Sequence, residues 1–220
     1  MPLNIEPKIA AAAAELTAIR RDIHAHPELG FEEERTSQIV AKKLKEWGCE
    51  VTTGIGKTGV VGTIRVGNNP TAIGLRADMD ALPMDEYNTF DHRSQHKGRM
   101  HACGHDAHVA ILMGVAEILM DMKAELPGTV KLLFQPNEEG HEGRISGAQA
   151  MINDGALQNP RPSAVFGLHV TSHITSGQIA LRPGGPAAAG KSAVTDKSIA
   201  VLPFTNMSED KDASAFFADG

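Results

Sequence analysis

Apolar residues near the start of the chain recur every three or four positions, which is the spacing of an amphipathic helix. This pattern runs from Ile9 to His26, and Pro27 ends it because proline cannot continue a helix. A second stretch with the same period covers Glu33 to Trp47, and Gly48 follows it at a position typical of a helix C-cap. The chain is therefore predicted to begin with two helices.

The pattern then changes to short segments rich in β-branched residues and bounded by glycine and proline. Strands are predicted at Glu50–Thr53, Val60–Val66, Thr71–Arg76, Thr129–Phe134, Ala164–Val170 and Gly177–Arg182, and helices at Asp106–Met122 and Ser146–Asp154. The helix at Asp106–Met122 is apolar nearly all round, so we expect it to be buried against a sheet. This alternation predicts a layered α/β fold with helices on the faces of one sheet.

The composition changes after the last predicted strand. Residues Leu181–Gly190 read LRPGGPAAAG, which indicates the end of that strand running into a loop or linker. The tail beyond it contains one apolar run, Ile199–Phe204, followed by a polar and acidic stretch.

Length, charge and cysteine content narrow the class of protein. A chain of 220 residues with 41% hydrophobic residues is long enough to bury one sizeable core. A formal net charge of -6 without a basic run argues against a nucleic-acid surface. The longest apolar stretch is too short and too polar to span a bilayer, and the N-terminus lacks the features of a secretory signal. With only two cysteines, Cys49 and Cys103, we expect a protein of the reducing cytosol.

The densest chemical cluster extends from Arg99 to His108, directly before the apolar helix. Cys103 and His105 stand two apart across a glycine, so a loop here can turn both side chains towards one ion at the helix N-terminus. Thiolate and imidazole suit zinc, and they suit manganese or cobalt when oxygen ligands complete the shell. The same stretch is consistent with a buried cysteine beside a helix-capping Asp106.

A pair of acidic residues, Glu138 and Glu139, follows the strand Thr129–Phe134. This is the end of a strand at which open α/β sheets usually place their sites. Beyond the strand a loop can aim both carboxylates into one pocket, one as a ligand and one as a base. The alternative is a solvated acidic loop.

Three further polar residues follow predicted strands. His169 lies at the end of an apolar strand, where packing explains an imidazole poorly, although such a histidine is also commonly a hydrogen-bonded structural residue. Asp78 and Asp80 close the strand at Thr71–Arg76, and either one can orient a ligand histidine from behind or simply form a turn.

These clusters belong to an ordered series of longer motifs. The series is RRDIHAHPELGFEE, GKTGVVGTI, GLRADMDALPMDE, GRMHACGHDAHVAILMGVAEIL, KLLFQPNEEG, SGAQAMINDGAL and VFGLHV. It resembles the aminoacylase-like branch of the M20 peptidase family, which includes N-acyl amino acid, hippurate and auxin-conjugate hydrolases. The match covers roughly Ala11 to Gly185. It implies a three-layer α/β/α zinc-peptidase-like catalytic domain at residues 1–185, here incomplete.

The resemblance also implies a site with two divalent metal ions, which are manganese, zinc or cobalt. Its ligands in this chain would be Cys103, which bridges the ions, with His105, Glu139 and His169. Glu138 would be the general base that deprotonates a shared water and then passes the proton to the leaving amine. Asp78 matches the aspartate that supports the ligands in the family. Arg76 stands where other branches carry a ligand histidine, a loss for which His105 is thought to compensate.

Family members continue past the LRPG segment into a lid and dimerisation domain, and much later they supply a final ligand histidine. No such motif follows Gly185, and no histidine lies beyond His173. We therefore expect the lid and one ligand to be absent and residues 186–196 to be a linker. Residues 197–220 resemble the opening of a TolB-like domain and are too short to form a core of their own.

Two hypotheses about function follow. In the first, the chain is a metal-dependent amidohydrolase that acts on N-acyl amino acids or related conjugates, which are small molecules. In the second, it is a truncated, non-catalytic fragment that binds metal weakly or serves as an interaction module. The sequence leaves the oligomeric state open, because the dimerisation surface of the family lies in the lid.

Overall fold

The computed structural model describes residues 5–68, 70–140, 145–172, 174–175 and 178–180. In this part of the chain four α-helices and five strands alternate as the sequence pattern predicts. The helices are α1 (Glu6–Ala25), α2 (Glu34–Glu46), α3 (His105–Asp121) and α4 (Gly147–Asn153). The strands are β1 (Glu50–Ile55), β2 (Gly59–Ile64), β3 (Ala72–Asp78), β4 (Thr129–Gln135) and β5 (Val165–Gly167), and a short 3-10 helix covers Lys123–Glu125.

The five strands form one mixed sheet in the order β1-β2-β4-β3-β5. β1 pairs with β2 and β2 with β4 in antiparallel fashion, whereas β3 is parallel to both β4 and β5. The parallel register pairs Asp78 with Gln135, which are the last residues of β3 and β4. The loops that leave these two central strands therefore start side by side at one edge of the sheet.

Alternate residues of the central strands bury their side chains on opposite faces of the sheet. On one face Val60 and Leu132 join the main core, which includes residues of α1, α2 and α3. On the other face Val61 and Leu133 pack with Met151 of α4. Every residue of β4 is buried, as expected for a central strand covered on both sides. Helices on both faces of the sheet confirm the predicted α/β layers.

The strand predicted at Ala164–Val170 is shorter in the structure, where β5 covers only Val165–Gly167 and is exposed throughout. Among the described strands β5 pairs only with β3, and the ladder between them ends at Arg76 and Gly167. His169 therefore lies in the segment after the strand rather than at its last ladder position. Of the strand predicted at Gly177–Arg182, the structure describes residues 178–180, which are not in a strand.

The chain divides into two units, Met1–Val170 and Thr171–Gly220. All the helices and strands given above belong to the first unit. The predicted linker at 186–196 and the TolB-like tail at 197–220 lie outside the described residues. Within the described segments, no helix has the length and apolar character that a bilayer crossing requires.

Candidate metal centre

The predicted site residues meet at the edge of the sheet where β3 and β4 end. The loop after β3 carries Asp80, the loop after β4 carries Glu138 and Glu139, and α3 begins at His105. Gly104 precedes α3 with φ of 83°, a left-handed conformation that glycine adopts without strain. A Cβ added to Gly104 would lie 2.4 Å from Cγ2 of Val170, so only glycine lets the segment after β5 approach α3 this closely.

His105 lies at the centre of this cluster and is fully buried. Its Nδ1 is 2.8 Å from the backbone oxygen of Asp80 and 3.2 Å from Oδ1 of the same residue. Because both of these atoms are acceptors, Nδ1 carries a proton and donates, so Nε2 is the ring nitrogen that can face an ion. Among the described residues, Nε2 of His105 has no hydrogen-bond partner.

Three carboxylates surround the Nε2 atom of His105. Oδ2 of Asp78 lies 3.5 Å from it, Oε1 of Glu139 lies 3.8 Å from it and Oε2 of Glu138 lies 3.9 Å from it. Burial alone would lower the pKa of His105, but Asp80, the Cys103 sulfur and the charge of Asp78 outweigh it and raise the pKa to about 11. The surroundings of Nε2 therefore favour a positive charge, and a divalent cation supplies such a charge as well as a proton does.

The thiol of Cys103 and the ring of His169 complete the cluster, with Sγ 3.3 Å from Nε2 of His169. Among the described residues there are three groups of potential ligands, and within each group the ligand atoms lie within 4.8 Å of one another. All three groups contain His105. They are Cys103 with His105 and His169, Asp78 with His105 and His108, and His105 with Glu138 and Glu139. A mixture of sulfur, nitrogen and oxygen donors suits zinc, cobalt or manganese.

One side of the cluster is buried in the core, and the other side is exposed to solvent. His105 and Asp78 are fully buried, whereas the side chains of Glu138 and Glu139 are 39% and 25% exposed. His169 is also exposed, and Cys103 is partly buried. The carboxylates of Glu138 and Glu139 are therefore more accessible to solvent than the buried side chains of His105 and Asp78.

His108 is a member of the cluster that the sequence reasoning did not single out. Its Nδ1 lies 2.5 Å from Oδ1 of Asp78, and its Nε2 accepts the backbone N–H of Val170 at 2.9 Å. His108 thus connects the end of β3 to the segment that carries His169. A signal was present in the sequence, since His108 follows His105 by three positions on α3 and such residues share one helix face.

The two aspartates after β3 have different partners. Asp80 is the carboxylate that bonds the Nδ1 atom of His105, whereas Asp78 bonds His108 and forms an ion pair with Arg76 at 2.8 Å. Burial would raise the pKa of Asp78, but the hydrogen bond with His108 and the charges of His105 and Arg76 lower it to about 2. Of the two aspartates, Asp80 is thus the one whose carboxylate contacts the Nδ1 atom of His105.

Comparison with known proteins agrees with this geometry. The model of peptidase family M20/M25/M40 matches residues 74–217, a span that contains every predicted site residue. The chain belongs to this family. The M20 relatives include IAA-amino acid hydrolase ILR1-like 4 of Arabidopsis thaliana, which is 46% identical over 169 residues, covering 77% of this chain and 37% of the relative. The hippurate hydrolase of Campylobacter jejuni is 46% identical over 167 residues, covering 76% of this chain and 42% of the relative.

A solved M20 structure has the same fold. The Bacillus subtilis YXEP protein, described as a dinuclear metal-binding peptidase, superimposes with a TM-score of 0.71 and 38% sequence identity. The superposition covers 79% of this chain and 47% of that one. The chain thus spans less than half the length of each of these three M20 proteins.

Proposed function

We propose that this chain carries the metal-binding part of an amidohydrolase that cleaves the amide bond of N-acyl amino acids or related conjugates. The observation that carries the proposal is the Nε2 atom of His105, which is buried, lacks a hydrogen-bond partner among the described residues and faces a thiol and several carboxylates. A buried polar atom without a partner is costly, and a bound cation removes that cost.

The donor atoms fit the ligand set that the family resemblance implies. Cys103, His105, His169 and Glu139 would hold the two ions, through one thiolate, two imidazole nitrogens and one carboxylate. Asp80 supports this assignment because it holds the proton on the Nδ1 atom of His105 and so directs Nε2 towards the ions. The ions are manganese, zinc or cobalt, since each accepts a mixed set of sulfur, nitrogen and oxygen ligands.

Glu138 acts as the general base in this proposal. Its carboxylate is more exposed than that of Glu139 and lies at the rim of the cluster, within reach of a substrate and a water molecule. When bound, the ions lower the pKa of the attacking water and polarise the amide carbonyl. Glu138 removes a proton from that water and transfers it to the leaving nitrogen, so that the amide is cleaved to an acid and an amine.

The names of two relatives support the substrate class. One is an IAA-amino acid hydrolase and the other a hippurate hydrolase, and both names describe an acyl group joined to an amino acid through an amide. The substrate proposed for the present chain is accordingly a small N-acylated amino acid.

Hydrolysis of N-acetyl and N-benzoyl amino acids, measured together with the metal content of the purified chain, tests the proposal. Glu138→Gln is expected to keep its metal and to lose activity by roughly a hundredfold or more, the usual contribution of a general base. Glu125→Gln changes an exposed glutamate outside the cluster and serves as the matched control. A parent chain without bound metal and without turnover would contradict the proposal.

A further inference from the structure

The loop after β4 carries Glu138 and Glu139, and buried carboxylates hold its backbone on both sides of Glu138. The N–H of Asn137 donates to Oε1 of Glu33 at 2.8 Å, and the N–H of Glu139 donates to Oδ2 of Asp80 at 2.9 Å. Hydrogen bonds of this kind are stronger than those between neutral groups. The peptide units that flank the proposed base are therefore fixed.

Glu33 comes from a distant part of the chain, 104 positions before Asn137. It is the N-cap residue of α2, and its side chain is completely buried. Its second oxygen, Oε2, accepts the hydroxyl proton of Thr58 at 2.5 Å. A buried carboxylate is costly unless its oxygens are hydrogen-bonded, and the two donors here are the loop backbone and Thr58.

The segment before Glu33 packs tightly on the same asparagine. A Cβ added to Gly30 would lie 2.1 Å from Oδ1 and 3.1 Å from Cα of Asn137, so Gly30 lets this segment pack directly against Asn137. Asn137 itself has φ of 45°, in the left-handed region that is strained for most residues. Asparagine adopts this region more readily than most residues, and Gly30 and Glu33 both contact the loop at this residue.

We propose that Glu33, held by Thr58, is a positioning residue that fixes the backbone at Asn137 and thereby directs Glu138 and Glu139 towards the metal site. The inference rests on the proposed function, because it assigns Glu33 a role in that site. It differs from a purely structural role, in which loss of Glu33 lowers the stability of the fold and leaves the ligand geometry unchanged.

The test compares four variants of the full chain with the parent. Glu33→Ala removes both contacts, and Thr58→Val removes the hydroxyl that holds Glu33. Glu33→Gln keeps both contacts, since its carbonyl accepts from Asn137 and its amide donates to the Thr58 hydroxyl. Thr36→Val is the matched control, because Thr36 is also buried and donates to Glu28, whose carboxylate bonds Arg35 and Thr36 rather than the described part of the loop.

Two measurements are made on each variant. Titration with cobalt(II) gives the affinity and the visible absorption spectrum, which reports the coordination geometry. Amide hydrogen exchange, followed by nuclear magnetic resonance in the metal-free chain, gives the protection of Asn137 and Glu139. We expect Glu33→Ala and Thr58→Val to lower cobalt affinity by about tenfold, as for other residues that orient ligands. In these two variants we also expect a changed cobalt spectrum and lower exchange protection within the loop. In Glu33→Gln, the spectrum and the protection are expected to stay close to those of the parent.

The inference is overturned if Glu33→Ala lowers the unfolding temperature while the cobalt spectrum and loop protection match those of Thr36→Val. It is equally overturned if Glu33→Gln is as impaired as Glu33→Ala. If the parent chain binds no cobalt, the proposed function fails and the exchange measurement alone decides the positioning role. Loss of protection confined to the loop then supports that role, and unchanged protection refutes it.

Discussion

Replacement of Asp80 by asparagine tests how much the supporting carboxylate contributes to the metal site. Asp80 accepts two hydrogen bonds through its side chain, from Nδ1 of His105 at 3.2 Å and from the N–H of Glu139 at 2.9 Å. Asparagine has a single side-chain oxygen, so one of these donors faces an NH₂ group instead of an acceptor. The backbone oxygen of residue 80 still accepts from Nδ1 of His105, so the imidazole ring keeps one of the two hydrogen bonds that orient it.

The size of the effect follows from these contacts. Asp80→Asn loses about one hydrogen bond to a charged group, which is worth about 1.5 to 3 kcal/mol. Since every 1.4 kcal/mol corresponds to about a tenfold change in affinity, metal binding is expected to weaken by roughly 10- to 100-fold. This range agrees with the effect usually found for residues that orient metal-ligating histidines.

Isothermal titration with manganese(II) or cobalt(II) measures the affinity, and urea unfolding in the presence of a chelator measures the stability of the metal-free chain. Asp85→Asn is the control, because Asp85 also accepts a backbone N–H, that of Gly98 at 2.7 Å, and has no contact with the cluster. Equal affinities for the Asp80 and Asp85 variants would refute the role given to Asp80.

Two further predictions concern the thiols and the buried histidine of α1. Iodoacetamide at pH 8 is expected to modify Cys103 before Cys49, because burial raises the pKa of Cys49 to about 11. Cobalt(II) should slow only the Cys103 reaction in peptide mass spectra, and equal labelling with and without cobalt would contradict the thiolate ligand. Burial lowers the pKa of His24, but the hydrogen bonds and charges of Asp106 and Glu86 outweigh burial and raise this pKa. Protonated His24 therefore stabilises the fold fully below about pH 6.5, and this stabilisation declines as the pH rises through the folded-state pKa. His24→Leu should cost about 3 kcal/mol in urea unfolding at pH 6 and flatten the loss of stability between pH 6 and 9, and an unchanged pH profile would count against this reasoning.

Much of the fold was predictable because its determinants are local. The period of apolar residues located α1 and α2 to within a few positions, and the apolar character of α3 on nearly all sides indicated a helix buried against the sheet. β5 was overestimated because its apolar residues resemble a buried strand, although the strand is exposed and pairs with β3 alone among the residues that the structure describes. Periodicity reports what a segment prefers, and strand pairing depends on the neighbours that the sheet provides.

The motifs of the sequence fixed the identity of the candidate ligands, because Cys103, His105 and Glu139 occur in contexts that resemble one family. They did not determine which supporting groups face which ligand. The carboxylate of Asp80 is hydrogen-bonded to His105 and that of Asp78 to His108, although the sequence pattern allowed either aspartate to contact a ligand histidine. Glu33 appeared only as the last residue of the motif RRDIHAHPELGFEE and the first of a predicted helix, without a role, since an acidic residue at the start of a helix is ordinarily a solvated N-terminal charge.

Those pairings were decided by the tertiary structure. Asp78 and His108 are 30 positions apart, and Glu33 and Asn137 are 104 positions apart. The parallel register of β3 with β4 places the ends of both strands together, and the packing of α3 against the sheet sets which face of the helix meets them. A shift of one residue in that register would turn every side chain of the strand to the opposite face. The sequence thus determined the chemistry that is available, and the strand register determined which of its atoms meet.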